Sequence, residues 1–192
     1  MTVKKFIPVS LMIAVIAALY VLVGPYLKIG GLMLNVLWVP FISWPLYFIA
    51  GAKPSRIHKE AFSLAGGVIF GFLTIWALPY SNNLFGSILG MPVVILFVAF
   101  IIVMLELTDW FELAPAYFFA FAGYFAYVFG GFAGTLKDPG DYAYAMIPFY
   151  LTLMIGLLLG YVTAYLRKKI LEKEGIFGAA QETVFDKEKP QS

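Results

Sequence analysis

Six stretches of this chain, residues 6–27, 31–51, 61–79, 85–105, 113–133 and 144–166, contain no charged residue. No other feature restricts its fold so strongly. A helix crosses the ~30 Å hydrocarbon core of a bilayer with about 20 apolar residues, and each block has that length. A water-soluble domain carries roughly a quarter of its residues as charges, because its surface faces water. Here 12% are charged and 62% hydrophobic, too few charges to cover a globule. The expected fold is therefore an all-α membrane protein, with six transmembrane helices in one bundle over residues 1–166. The polar, mixed-charge tail, 167–192, is expected to be cytoplasmic and partly disordered.

Turn signals separate the blocks. Tyr80-Ser81-Asn82-Asn83 divides the third from the fourth, and Lys137-Asp138-Pro139-Gly140-Asp141 the fifth from the sixth. The first block follows Lys4 and Lys5 like a signal peptide, but its apolar run exceeds the usual ~7–15 residues, so it is expected to be retained. Orientation follows the basic residues. Lys4, Lys5, Lys53, Arg56, Lys59, Arg167, Lys168, Lys169, Lys173, Lys187 and Lys189 fall on one side of a six-span chain, and only Lys28 and Lys137 on the other. Both termini are thus expected in the cytoplasm. Arg167-Lys168-Lys169 could also meet anionic headgroups.

The chain has no cysteine and a single histidine, His58, which removes disulfides, thiolate chemistry and multi-histidine metal sites within one chain. No nucleophile elbow, P-loop, zinc-protease or dinucleotide motif is present. The expectation is a non-enzyme without metal or cofactor, and with no nucleic-acid partner.

One pattern recurs. Gly67-x-x-x-Gly71-Phe72-x-Thr74-x-Trp76 in the third block matches Gly156-x-x-x-Gly160-Tyr161-x-Thr163-x-Tyr165 in the sixth. A weaker echo links Pro45-x-Tyr47-Phe48 with Pro115-x-Tyr117-Phe118. Two readings stand. Glycine and aromatics are abundant enough for coincidence; alternatively the chain holds two three-helix repeats. Three is odd, so the second copy would insert inverted, with a solute path at the midplane between the halves.

Gly67, Gly71, Gly156 and Gly160 let helix backbones approach closely, within one subunit or across an oligomer. Thr74 and Thr163, at matching positions, are the preferred pore-facing pair, although threonine usually bonds its own helix. Asn35 is costly to hide and needs a partner or water. Trp44, Tyr47, Tyr117 and Tyr124, deeper in their blocks or on proline-containing ones, could line a narrow, mostly apolar constriction. Glu106 directly follows an unbroken apolar run and is the candidate for a cytoplasmic vestibule; a solvated helix end is the plainer alternative. Trp38, Trp76, Tyr80, Trp110 and Tyr165 fit the aromatic belts at the membrane surfaces.

Tyr47-Phe48-Ile49-Ala50-Gly51, then Gly67 and Trp76, Pro115 with the Phe/Ala/Gly run to Gly134, and the Gly156–Tyr161 ending together resemble the bacterial membrane family called domain of unknown function 1097. That family carries no established activity, so the resemblance implies a plasma-membrane location and transfers no site. The uncharged spans point to a channel or transporter for a small neutral or weakly polar solute, homo-oligomeric and in contact with membrane lipid, and argue against proton coupling. The rival is a non-transporting scaffold or partner subunit.

Overall fold

The computed structural model of the chain describes residues 3–29, 32–173 and 175. Nearly all of the expected tail beyond the last helix, residues 176–192, lies outside the described residues. Among the described residues there are five α-helices: α1 (Val3–Val23), α2 (Pro40–Ile49), α3 (Ile57–Leu105), α4 (Ala114–Phe129) and α5 (Pro139–Lys173). Between α1 and α2, the two-residue strands β1 (Lys28–Ile29) and β2 (Leu32–Met33) pair antiparallel, Lys28 opposite Met33.

Three segments are helical, apolar and long enough to cross a membrane: Phe6–Tyr26, Pro54–Leu105 and Pro139–Lys173. Large apolar side chains stand exposed along them, including Leu11, Leu19 and Leu22 on α1 and Ile88, Leu96, Phe97 and Phe100 on α3. Water tolerates no such continuous surface, whereas hydrocarbon does. At roughly 1.5 Å per residue, α2 and α4 are about 15 Å and about 24 Å long, short of a full crossing.

Two of the expected blocks therefore differ in shape. The block 31–51 is helical only from Pro40; ahead of it the chain pairs as a strand and then runs irregularly through 34–39. Pro40 sits at the first helical position, where its missing N–H costs nothing, and its ring opposes extension of the helix backward. Leu34, Val36 and Val39 are nevertheless buried, and Leu34 N–H donates to the Leu27 carbonyl at 3.0 Å. Hydropathy registered their burial, which a packed extended segment shares with a helix.

The blocks 61–79 and 85–105 both lie on α3, which turns back on itself. The break is at Gly86 (φ 81°, ψ 163°), beyond the Tyr80–Asn83 signal, which stays helical. Ser81 Oγ donates to the Gly90 carbonyl at 2.9 Å across this turn. Farther from it, Phe70 on one limb packs with Val98 and Leu105 of the other around Ile102, Ala114 and Tyr117. At ~1.5 Å per residue the limbs, 57–85 and 87–105, are about 43 Å and about 28 Å long.

The chain forms two compact units. One combines the chain up to Ile57 with that from Met154 onward; the other is His58–Leu153. In the first, Leu34, Val39, Trp44, Leu46, Tyr47 and Leu157 are buried. In the second, Leu64, Val68, Tyr117, Ala120, Tyr124 and Phe149 are buried, with the Phe149 ring 5.7 Å from Tyr124 and 5.2 Å from Tyr127. Helix α5 starts in the second unit. Pro139 occupies its first position and Asp138 caps it, Oδ1 accepting from the N–H groups of Gly140 (2.8 Å) and Asp141 (3.1 Å).

Candidate functional site

Each unit is organised around a glycine seam, and the two seams are built alike. In the second unit, Gly67, Gly71 and Thr74 share one face of α3, being spaced by four and then three residues. Helix α4 lies directly on that face. A methyl on Gly67 would overlap the Tyr117 carbonyl and sit 2.8 Å from Ala120 Cβ; one on Gly71 would sit 2.9 Å from Tyr124 Cδ1. In the first unit, Gly156, Gly160 and Thr163 share a face of α5 with the same spacing, and α2 lies on it. A methyl on Gly156 would overlap the Pro40 carbonyl and sit 2.7 Å from Pro40 Cα; one on Gly160 would sit 2.6 Å from Tyr47 Cβ.

The correspondence reaches individual positions. Tyr117, Ala120 and Tyr124 meet the first seam's glycines as Pro40, Ser43 and Tyr47 meet the second's, with identical spacing and in the same order along the chain. Tyr47 is thus the counterpart of Tyr124. The sequence echo paired Tyr47 with Tyr117, which lies two helical turns away. Short apolar motifs repeat within a helix, so sequence alone slipped the register.

Polar groups line both seams. Thr163 is fully buried; its Oγ1 donates to the Leu159 carbonyl at 2.7 Å and accepts from Trp44 Nε1 at 2.9 Å. Thr74 is equally buried and donates to the Phe70 carbonyl at 2.8 Å. Ser63, one turn before Gly67, is fully buried with the Tyr117 hydroxyl as a polar neighbour. Ahead of it on the same face, the Glu60 carboxyl group is fully buried. Glu60, Ser63, Gly67, Gly71 and Thr74 therefore form one continuous stripe of small and polar residues along α3.

The sequence-selected residues fall into three groups. Tyr47, Thr163, Gly156 and Gly160 come together on the seam of the first unit, where the Tyr47 ring is 6.4 Å from Tyr161. Thr74, Tyr117, Gly67 and Gly71 belong to the seam of the second. Asn35 and Glu106 join neither: Asn35 is exposed in the irregular segment before α2, and Glu106 is exposed just past the end of α3. Of the acidic residues near Glu106, Glu112 forms an ion pair with Lys59 at 2.9 Å, while the His58 ring lies 5.2 Å from Trp110. Glu60 was not picked out beforehand. It lies one residue before the third block, outside the uncharged stretches; its phase relative to Ser63 and Gly67 is the signal that puts it on the seam's face. Among the described residues, no three His, Asp or Glu side chains gather where they could hold one metal ion.

The profile of a family described as "Protein of unknown function (DUF1097)" matches residues 10–168, the greater part of the chain. Neither a curated protein nor a solved structure matches.

Proposed function

The chain belongs to the DUF1097 family, and from that premise we propose that it is an integral membrane channel or transporter for a small neutral or weakly polar solute. In this reading it is a homo-oligomer that crosses the plasma membrane six times, with both termini cytoplasmic and two inverted three-helix halves. The observation that carries it is the buried polar stripe Glu60–Ser63–Gly67–Gly71–Thr74 on α3. Burying polar groups in a membrane domain is expensive, and such groups commonly mark a solute or ion route. The paired seams support the inverted halves. Each joins a helix from the first half of the sequence to one from the second, as interleaved repeats require.

Glu60 revises one expectation. The uncharged blocks argued against proton coupling, but a carboxyl group lies fully buried at the head of the stripe. A neutral solute remains the best fit, because the other polar side chains of the stripe, Ser63 and Thr74, carry only hydroxyls.

Solute flux into proteoliposomes tests this reading. With a panel of small neutral solutes, at least one should enter faster than into protein-free vesicles, and Thr74→Val should slow it. A folded, reconstituted protein that accelerates none would overturn the proposal. The second reading, a non-transporting scaffold, draws on the hydroxyls of Thr74, Thr152 and Thr163, each bonded to its own helix. It predicts a fixed protein partner at constant stoichiometry and no flux.

A further inference from the structure

We propose that the face of α3 carrying Trp76 and Tyr80 binds a zwitterionic phospholipid with a primary ammonium headgroup, of the phosphatidylethanolamine class. The site lies within the second unit and does not depend on whether the chain moves a solute.

The two rings form an exposed ridge, centroids 5.4 Å apart. A groove runs along each side of it. One is a cleft of about 430 Å³ between the limbs of α3, walled by such residues as Leu73, Leu84, Val94 and Phe97. Its lining extends from Phe70 to Phe85, about 22 Å of helix at ~1.5 Å per residue. Its stretch from Phe70 to Tyr80, about 15 Å, matches the roughly 15 Å depth of hydrocarbon in one leaflet, so an acyl chain can lie along it. The other is a pocket of about 310 Å³ walled by Phe72, Ile75, Pro79 and Tyr142, with Lys137 and Asp138 also in its lining.

The charges at this second pocket select the headgroup. Among the described residues, the Lys137 ammonium has no carboxylate within salt-bridge distance. Asp138 uses Oδ1 on the amides of Gly140 and Asp141, which leaves Oδ2 to meet a ligand. Asp141 accepts the Lys137 backbone N–H at 2.8 Å. A cation and an anion on adjacent residues complement a phosphate and an ammonium held a few atoms apart. A purely anionic headgroup would meet repulsion from Asp138. A choline headgroup would be unable to donate a hydrogen bond to Asp138. Exposed Trp and Tyr at such a boundary match the amphipathic rings found where hydrocarbon meets headgroups.

Quenching of Trp76 fluorescence by lipids with brominated acyl chains tests the site. In Trp38→Phe/Trp110→Phe protein the remaining Trp44 is buried and Trp76 is half exposed. The protein is reconstituted into phosphatidylcholine vesicles with equal minor fractions of brominated phosphatidylethanolamine, phosphatidylcholine or phosphatidylglycerol. The ethanolamine lipid should quench several-fold more effectively than either other lipid. Asp138→Asn, which keeps the helix cap, and Lys137→Gln should each bring it down to the phosphatidylcholine level. Equal quenching by all three lipids would mean ordinary boundary lipid and overturn the proposal. So would stronger quenching by phosphatidylglycerol, or a preference that survives both substitutions.

Discussion

Thr163 takes part in two kinds of contact at once. Its hydroxyl closes a bond to its own helix, and the same oxygen receives the Trp44 indole from α2. In a low-dielectric interior a donor left without a partner costs more than the bond was worth. Replacing Trp44 by Phe and Thr163 by Val, singly and together, should give a coupling of about 0.5–1.5 kcal/mol in a double-mutant cycle of unfolding in detergent. Additive effects would mean that the indole bonds elsewhere. The sequence disclosed Thr163 through its phase with Gly156 and Gly160, because spacing alone assigns residues to a helix face. It could not disclose Trp44 as the partner, since that pairing depends on which helix covers the face. Glu60 was illegible for a related reason: charge counted along the chain carries no information about burial.

At the scale of elements, the controlling choices are made by glycine. The seams exist because Gly67, Gly71, Gly156 and Gly160 leave no Cβ between two backbones. Gly86 acts differently, through conformation. Its φ of 81° with ψ of 163° lies in a region open essentially to glycine alone. Gly86→Ala should destabilise the α3 turn by about 1–3 kcal/mol, read as a lower midpoint of thermal unfolding in detergent, although a methyl there would meet nothing within 4 Å. An unchanged midpoint would show that the turn relaxes without cost. Sequence located the third and fourth blocks because both are apolar, but placed the turn at the polar Tyr80–Asn83. Those residues continue the helix, and Ser81 spends its hydroxyl on the returning limb. The second block misled in the opposite sense, since Leu34, Val36 and Val39 are apolar and buried without being helical.

For the whole molecule, the three long apolar helices place the chain in a membrane, and the proposed function requires six crossings and a route along the α3 stripe. The natural absence of cysteine makes both points testable by single substitutions. Lys53→Cys and Lys137→Cys, both at exposed loop positions, should label from opposite sides of the membrane with an impermeant thiol reagent. Labelling from the same side would refute the six-span topology. The stripe itself is tested most directly by Ser63→Cys and Thr74→Cys, which replace two fully buried hydroxyl side chains. Only the thiolate reacts with N-ethylmaleimide, and a thiolate requires water or a polar path around it. In lipid vesicles both positions should react on the timescale of Lys53→Cys as the route opens. Complete protection at Ser63→Cys and Thr74→Cys, while Lys53→Cys labels fully, would contradict it and leave a dry, non-conducting seam.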